Sequence, residues 1–296
     1  MKILIAGSNG VIGSYVFSKL IELDYPVIGI CKEANANNYS FSIDLSNSDE
    51  TENFVKTFEK PELLIFLVGL AHKKGEKGDF SEFEKINHLT LKNLISALEN
   101  QNKLPNKIIF ASSISVYGER YYHSYYTEET QLFPKSPYAV TKLMAEQYLV
   151  DNYKNISIIL RFAPVYSQEF KLNIQRRTSI KGIFYRVGKG GNKLSLLSIK
   201  NILTAIISVI NNQIPPGVYN LSDKREYTFR ELLIKQKATR IIFIPKFVVK
   251  SLYYINKIIG NVFINENTIK LLTDNIYSSG KLLKYADYND DLDSTL

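Results

Sequence analysis

The segment Ala6-Gly7-Ser8-Asn9-Gly10-Val11-Ile12-Gly13 follows the apolar run Ile3-Leu4-Ile5 and opens a helical stretch, and nothing else in the chain narrows its fold as much. Strand, glycine turn and helix in that order build a cradle for a pyrophosphate. Gly7 permits the tight turn, Gly10 lets the backbone approach a phosphate, and Gly13 lets the helix close on the sheet. The N–H groups of the first helical turn then face the anion. Alone, a glycine triplet is equally an ordinary tight turn. Its place between a strand and an amphipathic helix argues for a dinucleotide, with Gly7, Asn9, Gly10, Val11, Ile12 and Gly13 as the expected contacts.

Short apolar runs alternate with longer helical patterns. Strands are expected at Lys2–Ala6, Val27–Cys31, Leu63–Val68, Lys107–Ser112 and Ile156–Arg161, with helices near Ser14–Asp24, Phe80–Gln101 and Tyr138–Tyr153. This rhythm predicts an α/β fold, a doubly wound parallel sheet of Rossmann type with helices on both faces. Ligands bind such sheets beyond the carboxyl ends of the strands, where Gly7, Gly69, Ser113 and Pro164 fall. After about residue 167 the rhythm loosens, and Gly188-Lys189-Gly190-Gly191 and Pro215-Pro216-Gly217 read as turns. The expected organisation is a dinucleotide-binding domain over 1–166 and a smaller substrate-binding region over 167–296. Part of the latter, about 193–222, returns to the main sheet, with Val218–Leu221 as its strand.

The 296 residues are 45% hydrophobic and 22% charged, a balance that suits one large core or two smaller ones. A single cysteine, Cys31, excludes an internal disulfide framework and suits a reducing compartment. The start MKILIAG holds no apolar stretch of signal-peptide length, so a cytoplasmic location is expected. No run reaches the ~20 apolar residues of a membrane-spanning helix. The nearest, Ile241 to Ile264, is interrupted by Pro245, Lys246, Lys250, Asn256 and Lys257. It reads as an ordinary helix over a cleft, with a surface-lying amphipathic segment as the alternative and no stable membrane insertion. The net charge of +8 permits nucleic-acid binding, but no basic stripe carries a readout motif, so no such partner is expected. Much of the excess lies between Phe170 and Lys193, with seven basic residues and no acid. That stretch is either a solvated face or the grip on an anionic substrate. No metal site is expected.

Tyr138-Ala139-Val140-Thr141-Lys142 opens the helix after Pro137, and the i, i+4 spacing puts phenol and ammonium on one face. A tyrosine near its ordinary pKa of ~10 is a poor acid or base at neutral pH. A nearby cation favours the phenolate, so Lys142 is expected to bring Tyr138 toward the working range. The preceding strand ends in Ala111-Ser112-Ser113, where a hydroxyl could bond a substrate oxygen while Tyr138 moves its proton.

Together these residues resemble the extended short-chain dehydrogenases/reductases of the NAD-dependent epimerase/dehydratase group. The likeness rests on GSNGVIG at 7–13, Asp44-Leu45, Gly69, Asn87, FASSISVYG at 110–118, PYAVTK at 137–142 and LRFAPVY at 160–166. It implies that Ser113 and Tyr138 are the catalytic hydroxyls and that Lys142 holds the nicotinamide ribose. It further implies that Asp44 and Leu45 contact the adenine, that Leu67, Val68 and Gly69 line the cofactor channel with Pro164, and that Asn87 lies beside the active site. A homodimer is implied too, through helices around Leu89–Leu98 and Ala139–Val150. The spacing of Leu91, Leu94, Ile95 and Leu98 suits that face, as it suits packing inside one chain.

Dehydratases of the group carry adjacent Asp and Glu after the catalytic hydroxyl; Ile114 and Ser115 stand there instead, so dehydration is rejected. A 4-keto reductase and a 4-epimerase both remain. VYSQEFKLNI at 165–174 and GNKLSLLSIKN at 191–201 resemble segments of bacterial reductases of UDP-4-keto-6-deoxy-N-acetylhexosamines. By that resemblance Ser115, Lys171, Asn173 and Lys193 touch the nucleotide-sugar substrate, a precursor for polysaccharide synthesis. A UDP-hexose 4-epimerase with retained NAD is the first alternative, and a non-catalytic dinucleotide-binding protein the second. Ser167, Val68, Leu194 and Asn275-Ile276 depart from the group's pattern; Leu194 and Asn275-Ile276 replace arginines that hold the diphosphate. Strand 2 ends in Ile30-Cys31-Lys32, a cation where an acid would exclude a 2′-phosphate, which favours NADP(H) over NAD(H).

Overall fold

The computed structural model describes residues 1–33, 39–71 and 79–296. The chain forms two compact units: residues 1–113, 137–161 and 206–219 make the first, and residues 114–136, 162–205 and 220–296 the second.

The chain opens with β1 (Ile3–Ala6), α1 (Val11–Glu22), β2 (Val27–Cys31), β3 (Ser40–Ser42), α2 (Ser48–Thr57) and β4 (Leu63–Phe66). Next come α3 (Phe80–Glu84), a π-helical turn (Lys85–Leu89), α4 (Thr90–Asn100) and β5 (Lys107–Ser113). After a 3₁₀ turn (Ile114–Tyr117) follow β6 (Tyr125–Tyr126), α5 (Pro137–Tyr153) and β7 (Ser157–Phe162). Seven of the strands form one sheet in the order β13-β7-β5-β4-β1-β2-β3, in which β13 is Gly217–Leu221. The pairs β1–β2, β1–β4, β4–β5 and β2–β3 are all parallel. This is the doubly wound sheet that the alternating pattern predicts, and Val218–Leu221 does join it.

β1 and β4 are buried at every position, which is why they read as unbroken apolar runs. Their side chains feed a core with Leu91, Leu94, Ile95 and Leu98 of α4 and Ala145 and Leu149 of α5. The apolar stripe of α4 thus packs within its own chain. Strand order reverses between β1's neighbours β2 and β4, which opens a crevice beyond their carboxyl ends.

Two local features differ from expectation. The single helix expected over Phe80–Gln101 is broken by the π turn, whose extra residue turns Asn87 into the interior. Helix α2 carries too few apolar residues to announce itself by periodicity. Its start is fixed instead by Asn47, whose side chain accepts from Asp49 N and Glu50 N.

The second unit is built from β8 (Val165–Tyr166), α6 (Leu172–Thr178), β9 (Ser179–Ile180), β10 (Ile183–Val187), β11 (Lys193–Leu194) and β12 (Leu197–Ser198). Helix α7 (Ile199–Ile210) leads to β13, then come β14 (Tyr227–Thr228), α8 (Phe229–Lys235), β15 (Ile241–Ile244), α9 (Lys246–Ile259), α10 (Val262–Leu272), β16 (Ile276–Tyr277) and α11 (Leu292–Thr295). Asp223 is its polar hub: the carboxylate accepts from the hydroxyls of Tyr166 and Tyr227, from Ser198 N and from Asn201 Nδ2. Burial still pushes its pKa up to about 6.

Candidate active site

Gly7 has φ +86°, and a Cβ there would lie 2.9 Å from Val68 N, so β1 and the chain after β4 meet without room for a side chain. A Cβ on Gly13 would stand 1.9 Å from Gly7 O. Gly10 meets nothing tighter than 3.5 Å, so its bareness answers to a group other than the protein. It caps α1, whose first turn receives no side-chain cap and no acid. Those N–H groups keep their capacity for an anion. Beside them a polar pocket is lined by Ser8, Asn9, Ser14, Ser18, Cys31 and Ser40. Ser8 Oγ is buried there with no hydrogen-bond partner among the described residues. An adenine dinucleotide fits this cradle: its pyrophosphate would cover Gly10, and its hydroxyls would satisfy Ser8.

At the adenosine end, Lys32 Nζ lies 3.0 Å from Asp44 Oδ2. Asp44 also accepts from Ser46 N and Oγ, and these bonds bring its pKa down to about 2. Lys32 is therefore matched by a carboxylate, which removes the net positive charge that favoured NADP(H). Leu45 is buried in the core, and its carbonyl accepts from Asn93 Nδ2 at 3.0 Å. Asn9 Nδ2 donates to Glu33 O. Val11 is exposed and Ile12 half-buried at the start of α1.

Helix α5 aligns Tyr138, Lys142 and Glu146 at successive i, i+4 positions. The hydroxyls of Ser113 and Tyr138 are hydrogen-bonded to each other. Lys142 is buried; its ammonium donates to Ala111 O at 2.9 Å and Val68 O at 3.2 Å and sits 4.9 Å from the Phe110 ring centroid. Gly69 allows that approach, since a Cβ there would lie 3.1 Å from Lys142 Nζ. Burial lowers the Lys142 pKa to about 7, against a smaller raising effect from Glu146. Tyr138 is raised, not lowered: burial dominates and the Ser113 bond offsets it only in part. The expected depression by Lys142 does not arise, because two backbone carbonyls take up the ammonium and burial weakens its charge.

Behind the relay lies a network that sequence reasoning missed. Arg161 Nε and Nη2 donate to Glu146 at 3.0 and 2.6 Å, and Ser112 Oγ donates to the same carboxylate. All three side chains are buried. Only the i, i+8 spacing from Tyr138 could have pointed to Glu146. Asn87 is fully buried and its amide is used within the protein: Oδ1 accepts from Leu70 N, and Nδ2 donates to Thr141 Oγ1 and Leu70 O. It ties the loop after β4 to α5.

The second unit has a pocket of its own, lined by Ile114, Pro164, Arg177, Leu194, Ser195, Phe229, Lys270, Asn275 and Tyr277. Leu194 packs in the core with Tyr227, and the Asn275 side chain bonds Lys270 O and Thr273 O. The two positions that depart from the group's arginines are thus structural. Cations reach the pocket from elsewhere: Arg177, brought down to about 10 by burial, and Lys270, held 2.7 Å from Glu119. Burial and Glu119 together raise Glu266 to about 7. Arg177 lies in the basic stretch that the sequence offered as a grip on an anion, without being set apart within it, and Lys270 belongs to no motif. Asn173 is committed to Val165 O, Lys193 pairs with Glu226, Lys171 caps α6, and Ser115 lies half-buried in the 3₁₀ turn.

A seven-stranded Rossmann-type sheet with a glycine cradle beyond its first strand is the scaffold of a dinucleotide-binding protein. Residues 3–222 match the NAD dependent epimerase/dehydratase family, and the chain belongs to it. Among curated proteins, "Uncharacterized UDP-glucose epimerase YtcB" of Bacillus subtilis (strain 168) is 30% identical over 185 residues, covering 56% of this chain and 57% of that protein. "Protein CapI" of Staphylococcus aureus is 30% identical over 186 residues, covering 56% of this chain and 54% of that one. The chain thus spans about half the length of the curated relatives it matches. Among solved structures, UDP-glucose 4-epimerase of Thermotoga maritima with UDP-glucose superposes with a TM-score of 0.77 at 20% identity, covering 100% of this chain and 96% of that one. UDP-glucuronic acid 4-epimerase of Bacillus cereus, in complex with NAD, gives 0.73 at 18%, covering 100% and 94%.

Proposed function

We propose that this chain is an NAD(H)-dependent enzyme acting at C4 of a UDP-linked sugar, and that its net reaction is reduction of a 4-keto-6-deoxy-aminosugar. The hydrogen bond between Ser113 and half-buried Tyr138, with Lys142 buried one helical turn on, carries this reading, since one proton relay beside a hydride carrier suffices for C4 chemistry. The bound dinucleotide supplies the hydride. Tyr138 gives its proton to O4 as the carbonyl becomes an alcohol, and Ser113 hydrogen-bonds the same oxygen. Tyr138 carries the proton to be given, and burial, which raises its pKa, works against the transfer while the Ser113 hydrogen bond works for it. Within the second unit's own pocket, Arg177 and Lys270 supply cations of the kind a diphosphate requires, where residues 194 and 275–276 supply none. NAD(H) is preferred to NADP(H) because Asp44 matches Lys32.

A second reading, 4-epimerisation, is favoured by the name of the Bacillus subtilis relative. It uses the same residues in both directions, with the dinucleotide retained. Denaturing the purified protein and assaying the supernatant separates the two. The reductase releases substoichiometric NAD and oxidises NADH stoichiometrically with a UDP-4-keto-6-deoxy-N-acetylhexosamine. About one NAD per chain without net NADH loss would establish the epimerase instead.

A further inference from the structure

Helix α9 packs by only one face. Val249, Tyr253 and Asn256, at i, i+4 and i+7, turn inward, and Val249 packs with Tyr185 and Val187 of β10. The rest of the helix is exposed, apolar along one flank and basic along the other. Val248, Leu252, Ile255 and Ile259, at i, i+4, i+7 and i+11, make one exposed flank, and Lys246, Lys250 and Lys257 make the opposite one. The outermost positions are apolar: Phe247 is 69% exposed and Ile258 is 91% exposed.

The apolar surface culminates in a built tip. Gly260, at φ +74°, ends α9, and Asn261 caps α10 by accepting from Ile264 N. Asn256 locks the turn from below: its Nδ2 donates to Asn261 O at 2.8 Å and its Oδ1 accepts from Asn261 N at 3.2 Å. Ile258 and Ile259 on one side and Val262 and Phe263, 75% exposed, on the other are thereby held outward. Immediately before α9, Ile242 and Phe243 of β15 are exposed as well.

The charge pattern identifies what covers this face. From Lys237 to Asn265 there are five bases (Lys237, Arg240, Lys246, Lys250, Lys257) and no acid. A second copy docking here antiparallel, by a two-fold axis perpendicular to α9, would set lysine flank against lysine flank, and a parallel one would set lysines against the apolar flank; both oppose association. An anionic bilayer matches both features: the apolar tip enters the acyl boundary while long lysine stems reach the headgroups. Lys257 lies 5.2 Å from the ring centroids of both Tyr253 and Tyr254, the pairing of cation and aromatic ring that suits that depth. At 14 residues α9 is only about 21 Å long, and among the described residues no helix is long and apolar enough to cross a membrane.

We propose that the α9–α10 hairpin docks this protein reversibly, and in the plane of the surface, on an anionic lipid bilayer. The inference goes beyond the sugar-nucleotide reading, and neither depends on the other. It is tested with the full chain by co-sedimentation with phosphatidylcholine vesicles with and without phosphatidylglycerol. The wild type should bind the anionic vesicles at least about tenfold better than the neutral ones, and added salt should weaken binding. The double variant I258S/F263S should lose at least about tenfold on anionic vesicles, and K246Q/K250Q/K257Q should lose the preference for them. All the altered side chains are exposed, so circular dichroism and melting temperature should stay unchanged, which separates lost docking from lost folding. Absence of wild-type binding, or equal binding by wild type and I258S/F263S, would overturn the proposal. Concentration-dependent self-association abolished by I258S/F263S would overturn it too, by assigning the face to a second copy.

Discussion

Lys142 shows how far a buried environment can shift one side chain's chemistry. Its pKa, brought down from 10.5 to about 7 by burial, lies below its unfolded value. The unfolded chain therefore binds more protons between those two values, and folding stability rises with pH across that window. Urea unfolding of wild type and Lys142→Met should show the wild type gaining on the variant as pH rises from about 7 toward 10.5; parallel pH profiles would contradict the assigned environment. One helical turn along, Glu146 leaves no such freedom. Its carboxylate balances the buried Arg161 guanidinium, so Glu146→Gln leaves an uncompensated interior charge. That change should cost about 3–5 kcal/mol of stability. A loss under about 1 kcal/mol in the same urea experiment would show that Arg161 does not need the carboxylate.

At the scale of elements, the glycine turn and α1 act together. Because Gly13 carries only hydrogen on its α-carbon, the helix closes on Gly7 O; Gly13→Ala would place a methyl 1.9 Å from that oxygen and push the helix off the turn. The expected result is a loss of at least about tenfold in NADH affinity, by fluorescence titration, together with a lower melting temperature. Unchanged affinity would show that α1 does not set the cradle. The same elements explain how much of the fold was legible in the sequence. β1 and β4 are buried on both faces, so their runs of Ile, Leu and Phe identify them without ambiguity. β3, with Ser40 and Ser42 around an exposed Phe41, has no such pattern, and α2 is defined by a cap. The π turn depends on Asn87 finding Leu70 and Thr141, contacts distant in sequence that no local window contains.

Across the whole molecule, motif residues were readable and their electrostatic partners were not. Ser113, Tyr138 and Lys142 announce themselves by spacing, whereas Asp44 opposite Lys32 and Glu119 beside Lys270 are meetings made by the fold. Those meetings altered the reading of the cofactor and of the diphosphate grip. Arg177 lies in the basic stretch between Phe170 and Lys193, but only its half-buried place in the pocket distinguishes it from the solvated lysines around it. A working Ser–Tyr–Lys relay for reduction at C4 can be read out in one spectrophotometric assay. NADH and NADPH loss would be followed with a UDP-4-keto-6-deoxy-N-acetylhexosamine, wild type beside Tyr138→Phe. The wild type should oxidise the cofactor stoichiometrically, faster with NADH, and the variant should lose at least about a hundredfold, within the range general acid catalysis contributes. Equal rates for the two proteins, or no oxidation of either cofactor by the wild type, would contradict such a relay.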